Sequence, residues 1–198
     1  TFISDQIRKN TFSNVTLRHF QTVMKKVMEF GRRRGYLNQI PPIPKPPLKI
    51  NSRSDFSKEE WKRLYEYMRD WINHPNSRIS RQRFYTQQYI LILGNSGIRC
   101  GTELRSIRWS NISTTKDILG DERVVISVKG KTDRRDVVCN VGIERYLKRL
   151  WEFRSKELGH SPNKSEHILV NPNGEPILSY KGSFNSLLDK VKLSFDDE

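Results

Sequence analysis

The chain has 198 residues, with 36 lysines and arginines against 22 aspartates and glutamates, for a formal net charge of +14. At 35% hydrophobic residues it can fill one modest core, or one core and part of another, and no apolar run approaches the roughly 18–20 residues of a membrane span. The charge favours a polyanionic partner, nucleic acid ahead of an anionic membrane, over the plainer reading of a solubilised surface. No secretory signal is visible, and Cys100 and Cys139 stand far apart with no Cys-x-x-Cys or Cys/His cluster, which points to free thiols, a cytoplasmic setting and no metal.

The first element is an amphipathic helix over 15–34. Leu17, Phe20, Val23, Met24, Val27 and Phe30 follow helical spacing, and Asn14 is the expected N-cap. Arg32, Arg33 and Arg34 crowd its C-terminal end, where positive charge complements the helix dipole or meets a phosphate. One helix cannot form a core alone, so the segment reads as the last part of a domain. Residues 41–50 begin Pro-Pro-Ile-Pro-Lys-Pro-Pro and read as a semi-rigid linker. At ~3.1 Å per residue it could span roughly 30 Å. A proline-rich partner motif is the alternative.

A second domain opens at Ser57-Lys58-Glu59-Glu60, a capping box, with Phe56 and Trp61 as a hydrophobic staple. This helix runs past Ile72 and stops at Asn73-His74-Pro75-Asn76. Another is expected from about Arg81 to Ser96, and Arg78, Arg81 and Arg83 at its start are either a solvated face or phosphate contacts. Residues 123–128 alternate as a half-buried strand and residues 135–139 return beside it. The turn between them, Lys129-Gly130-Lys131-Thr132-Asp133-Arg134, is loaded with positive charge. A helix with Ile143, Leu147, Leu150 and Trp151 on one side follows, then a short strand Ile168-Leu169-Val170, a turn at Asn173-Gly174, and a last helix with Phe184, Leu187, Leu188 and Val191. Helices around one small antiparallel sheet make a mostly helical α+β fold.

The stretch Ser96-Gly97-Ile98-Arg99-Cys100-Gly101-Thr102-Glu103-Leu104-Arg105-Ser106-Ile107-Arg108-Trp109 is the most informative. An arginine just past a glycine turn, between buried helices, is expected to be held by the core. Its planar guanidinium suits gripping two oxygens of a phosphate. The run resembles the first arginine box of the tyrosine recombinases, the phage integrase family, which reads Thr/Ser-Gly-apolar-Arg, then Glu-Leu, then apolar-Arg/Lys-Trp. The usual box puts the glutamate three residues after the arginine; here it is four. The Gly130-Lys131 turn also resembles the hairpin that carries the family's catalytic lysine.

The resemblance extends over most of the chain. It implies that residues 1–40 are the end of a helical core-binding domain that clamps DNA, 41–50 the linker, and 51–198 the N-terminal part of a catalytic domain. It implies Arg99 as the charge-stabilising arginine and Lys131 as the general acid. Glu103 then fixes the local structure or orients a basic side chain, unless it only complements a helix dipole. Arg32, Arg33, Arg34, Arg78, Arg81, Arg83, Lys129 and Arg134 are candidate DNA contacts. The reaction implied for a complete protein is site-specific DNA recombination or integration through a 3′-phosphotyrosyl intermediate, with no metal or other cofactor. Double-stranded DNA is the partner, and the family habit is a tetramer on paired sites, with this portion a monomer, nucleoid-associated when bound.

Two departures limit that picture. The family's second box, His-x-x-Arg, is missing: none of His19, His74, His160 and His167 has arginine three positions on. The family's nucleophilic tyrosine follows that box, so none is assigned here, and Tyr180 is read as structural. The expectation is a DNA-binding, catalytically incomplete piece. The alternative is a non-catalytic DNA-binding module or regulator derived from an integrase.

Overall fold

The computed structural model describes residue 5 and residues 12–45, 55–130 and 133–191. The chain divides into two compact units, 1–55 and 56–198. The first is built on helix α1, Asn14–Arg33. Its cap is Ser13, one residue before the expected Asn14: the Ser13 hydroxyl accepts the Thr16 N–H at 3.2 Å. The helix closes in a Schellman turn, with Tyr36 N–H on Gly31 O, Gly35 N–H on Arg32 O, and Gly35 in the left-handed region at φ 76°. Of the expected apolar stripe, Leu17 is buried, whereas Phe20, Val23, Val27 and Phe30 are exposed. The start of the proline-rich segment lies against this helix, since Gln21 Nε2 donates to Ile43 O at 3.4 Å.

The second unit opens with α2, Lys58–Trp71, under the expected reciprocal cap: Glu60 N–H donates to Ser57 Oγ at 3.1 Å, and Ser57 N–H to Glu60 Oε2 at 2.7 Å. Phe56 packs on Trp61 with ring centroids 6.3 Å apart. Helix α3, Ser77–Ser96, starts four residues before the expected Arg81, because Asn76 caps it by accepting the Ile79 N–H at 3.2 Å. It is the central helix, with Tyr85 through Gln88 and Ile90 through Ile92 all buried. Its buried amides are largely paired: Gln87 Nε2 donates to Met68 O at 2.9 Å and Gln88 Nε2 to Gln87 Oε1 at 2.8 Å, while Gln88 Oε1 has no partner among the described residues. Such pairing is what makes polar groups tolerable in a core.

A single helical turn, α4 (Thr102–Arg105), and a 3-10 turn, Trp109–Asn111, lead into a three-stranded antiparallel sheet of β1 (Ile112–Lys116), β2 (Glu122–Lys129) and β3 (Arg134–Val138) in that order. Strand β1 was not foreseen. Its sequence, Ile-Ser-Thr-Thr-Lys, has one apolar residue, and pairing with β2 from Ile112↔Ile126 to Lys116↔Glu122 is what makes it a strand. Val124, Ile126 and Val128 of β2 face the core. Helices α5 (Ile143–Leu158) and α6 (Lys181–Val191) pack on α3. Phe84 stacks on Phe153 at 4.3 Å and Tyr89 on Tyr180 at 4.0 Å.

Residues 168–170 are buried but form no strand of the sheet. They are held by isolated bridges, Arg108↔His167 and Val170↔Pro176, and by Ile168 N–H on Ile107 O at 3.1 Å. The apolar run therefore reported burial rather than sheet membership. Both cysteines are free thiols, Cys100 exposed and Cys139 buried. Among the described residues no helix is long and apolar enough to cross a membrane.

One charged network stitches α3, α5 and the 166–172 loop. Arg154, 7% exposed at its side chain, donates to Glu166 at 2.6 Å and Glu157 at 3.1 Å, while Arg81 donates to Glu157 and to Val170 O at 2.9 Å. Removing one member of a desolvated set strands the others. Arg154→Ala should lower the unfolding free energy by about 3 kcal/mol, the low end of that range because Glu157 keeps some water; urea denaturation measures it.

Candidate functional site

Two glycines shape the arginine turn. Gly97 ends α3 with φ 65°, and Gly101, with φ 92° and ψ −125°, starts α4 in a conformation open in practice only to glycine. Between them Ile98 is buried and anchors the turn, and Arg99 points out. Glu103 sits at the second position of α4 and is buried. Its carboxylate takes three donors. Arg99 N–H donates to Oε2 at 3.1 Å, Arg99 Nη1 to Oε1 at 3.1 Å, and Arg135 Nη2, arriving from β3, to Oε2 at 2.9 Å.

The sequence reading held Arg99 in place by the core. The structure holds its backbone that way, but the side chain is 73% exposed and is tethered at one guanidinium nitrogen by Glu103. Its other side-chain N–H donors have no partner among the described residues. Arg135 first, then the Arg99 backbone and side chain, hold the Glu103 carboxyl below the usual carboxylate range against the opposing effect of burial. Glu103 is therefore an anion that organises cations, which exceeds the plainer role of complementing a helix dipole.

The hairpin comes to the same place. Gly130 follows the last residue of β2, and a Cβ built on it would lie 3.3 Å from Glu103 Oε1. Its N–H donates to Asp133 O at 2.8 Å, closing the turn above the Lys129↔Arg134 pair. Lys131 lies outside the described residues, as does Thr132. What the structure places beside Arg99 and Glu103 is the Gly130 end of the turn.

The other candidate contacts divide. Arg32, Arg33 and Arg34 are exposed at the end of α1, with Arg34 5.4 Å from the Phe30 ring centre. Arg78 is exposed in the first turn of α3. Arg81 and Arg83 are committed to the fold: Arg81 lies over the Tyr85 ring and pairs with Glu157, and Arg83 lies over Trp71 and donates to Trp71 O at 2.9 Å. Lys129 and Arg134 are exposed and border a cleft of about 410 Å³ together with Arg108, Asn111, Ser127 and Arg135.

Sequence reasoning missed Arg108 and Arg135. Arg135 carried a usable signal: it shares the inward face of β3 with buried Val137, and a charge on the apolar side of a strand requires a counter-charge. Tyr180 is buried, its hydroxyl has no hydrogen-bond partner among the described residues, and burial pushes that hydroxyl's pKa far up, all of which disfavours a phenolate nucleophile. Among the described residues no three His, Cys, Asp or Glu side chains are grouped to hold a metal.

No protein-family model matches this chain, and no curated protein matches its sequence. A solved structure matches its fold: the XerH site-specific recombinase in a pre-cleavage complex bound to difH substrate, with a TM-score of 0.63 and 15% sequence identity. The match covers 99% of this chain and 53% of the recombinase chain, so the protein described here spans about half that length. The chain has a tyrosine-recombinase-like fold. Its second unit consists of helices around a small three-stranded antiparallel sheet.

The depressed Glu103 pKa has a pH consequence. A carboxyl whose folded pKa lies below its unfolded value contributes stability above the unfolded pKa, and loses it as pH falls through the folded one. Denaturation of wild type and Glu103→Gln across that range should therefore give a stability difference that is largest near neutrality and shrinks in acid.

Proposed function

We propose that this chain is the DNA-engaging portion of a site-specific recombinase, one that in its complete form cuts and rejoins DNA strands. The observation that carries the reading is the Arg99 guanidinium, mostly solvent-exposed yet fixed at one nitrogen on buried Glu103, beside the Gly130 end of the hairpin. The fold and the charge of +14 support it.

In this reading Arg99 binds a non-bridging phosphate oxygen with its free N–H donors. They are oriented before reaction, so negative charge building on the phosphorus oxygens meets fixed dipoles rather than reorganising water. A tyrosine oxygen, from outside these residues, attacks the phosphorus and forms the 3′-phosphotyrosyl bond as the 5′-oxygen leaves. Lys131 gives that oxygen its proton, a role suited to an ammonium whose pKa is lowered by neighbouring cations in a drying interface. A 5′-hydroxyl then attacks the phosphotyrosine and the steps run in reverse. Arg32, Arg33, Arg34, Arg78, Lys129 and Arg134 contribute backbone-phosphate contacts, which position the duplex without reading its sequence. Paired DNA sites held by four complete protomers are part of the same proposal, with this portion monomeric by itself.

Affinity for a random-sequence duplex should fall linearly against salt on logarithmic axes. Arg99→Ala should weaken binding and reduce the slope by about one phosphate, as measured by fluorescence anisotropy. Binding indifferent to salt would sink the DNA reading. A nicked suicide duplex tests the chemistry: this chain should give no covalent adduct and the complete protein should give one. Arg99→Ala should nearly abolish that adduct and Lys131→Ala slow it. A 5′-thiol leaving group, which needs little protonation, should rescue only Lys131→Ala. A complete protein that binds but never forms an adduct would mark a non-catalytic DNA-binding module instead.

A further inference from the structure

We infer that Arg135 is a positioning residue for Arg99: through the Glu103 carboxylate it ties strand β3 to the arginine and fixes the direction in which Arg99 meets a phosphate. This rests on the reading that Arg99 takes a phosphate.

The geometry is specific. Glu103 is buried, and each of its oxygens is claimed: Oε1 by Arg99 Nη1, Oε2 by the Arg99 N–H and by Arg135 Nη2. The Arg99 N–H holds Oε2 from the turn itself, at 3.1 Å. The Arg135 donor, coming from another element 32 positions on, holds the same oxygen at the shorter distance of 2.9 Å and so braces the carboxylate plane, and with it the direction in which Oε1 holds Arg99, from the sheet side.

Arg135 is placed for this by register. It pairs with Val128 one step inside the Lys129↔Arg134 pair, and it shares a face with inward Val137, so it reaches over α4. Gly130 of the same hairpin lies near Glu103 Oε1, since a Cβ built on it would come within 3.3 Å of that oxygen. Glu103 thus binds the arginine turn and the strand, with the start of the hairpin turn close by. Two guanidiniums on one carboxylate leave a net positive charge, so the assembly keeps its attraction for an anion. The Arg135 side chain is 42% exposed, enough to respond when DNA arrives.

A double-mutant cycle with arginine side-chain NMR tests this. Affinity for a fluorescein-labelled random-sequence duplex is measured for this chain as wild type, Arg135→Gln, Arg99→Ala and the double variant. If Arg135 acts through Arg99, Arg135→Gln should weaken binding about fivefold alone and almost not at all when Arg99 is already alanine. The Arg99 Nε–H resonance should move in Arg135→Gln and Glu103→Asp, and hold near its wild-type position in Arg135→Lys, which keeps a cation on Glu103. Additive losses of affinity would mean that Arg135 contacts DNA independently, and an unmoved Arg99 resonance would mean that it positions nothing; either overturns the inference. Should Arg135→Gln not fold, Arg135→Met decides instead, since it removes the donor to Glu103 while keeping the apolar stem, and an unmoved Arg99 resonance there overturns the inference. If Arg99→Ala leaves duplex affinity unchanged, the phosphate reading fails, while the resonance arm still reports whether Arg135 sets Arg99.

Discussion

A carboxylate withdrawn from water has to be given donors, and Glu103 receives them from two places far apart in sequence, the Arg99 turn and Arg135 on β3. That requirement joins α4 to the sheet at the point where the charged hairpin leaves it. The glycines around it follow from the same need. Gly97 and Gly101 let the chain turn tightly enough for the Arg99 N–H to reach a carboxylate four residues later. A side chain at Gly101 would be strained in that backbone conformation, and the turn that holds Arg99 depends on it.

The domain treats its cations in two ways. Arg154, Arg81 and Arg83 are drawn in, paired with Glu166 and Glu157 or laid over aromatic rings, and they act as mortar between helices. Arg99, Lys129 and Arg134 keep donors toward solvent. Net charge alone would treat the two groups alike. Only the second can meet a polyanion without dismantling the fold, and Lys129 and Arg134 share one cleft with Arg108 and Arg135, which gives part of the excess positive charge a direction.

The likeness to XerH is one of architecture, at 15% identity, and it concerns about half of that chain. Chemistry therefore has to be argued from the side chains. Tyr180 is stacked and buried, whereas the Glu103-centred cluster keeps an arginine at the surface with a fixed anchor.

Local signals were enough wherever the physics is local. Ser57 and Glu60 announced their helix because a cap needs only residues three apart, and the β2–β3 hairpin showed in alternation and a charged turn. The Gly97–Arg99 motif was legible because a helix stop followed by an arginine is contiguous in the chain. The start of α3 was misplaced because Asn76 caps a polar first turn that carries no apolar period. Strand β1 and the run 168–170, which lies outside the sheet, went the other way, since strand identity depends on a partner that sequence does not name. The same holds for the charges: Arg78, Arg81 and Arg83 are equivalent in the sequence, yet Arg81 and Arg83 turn inward and Arg78 outward because Glu157 and Trp71 lie where the helix packs. By itself the sequence determined a basic, mostly helical α+β chain with an arginine turn and a lysine hairpin. The tertiary structure decided that the arginine turn and the Gly130 end of that hairpin meet at one carboxylate, because Glu103 can leave water only where Arg135 comes to join Arg99.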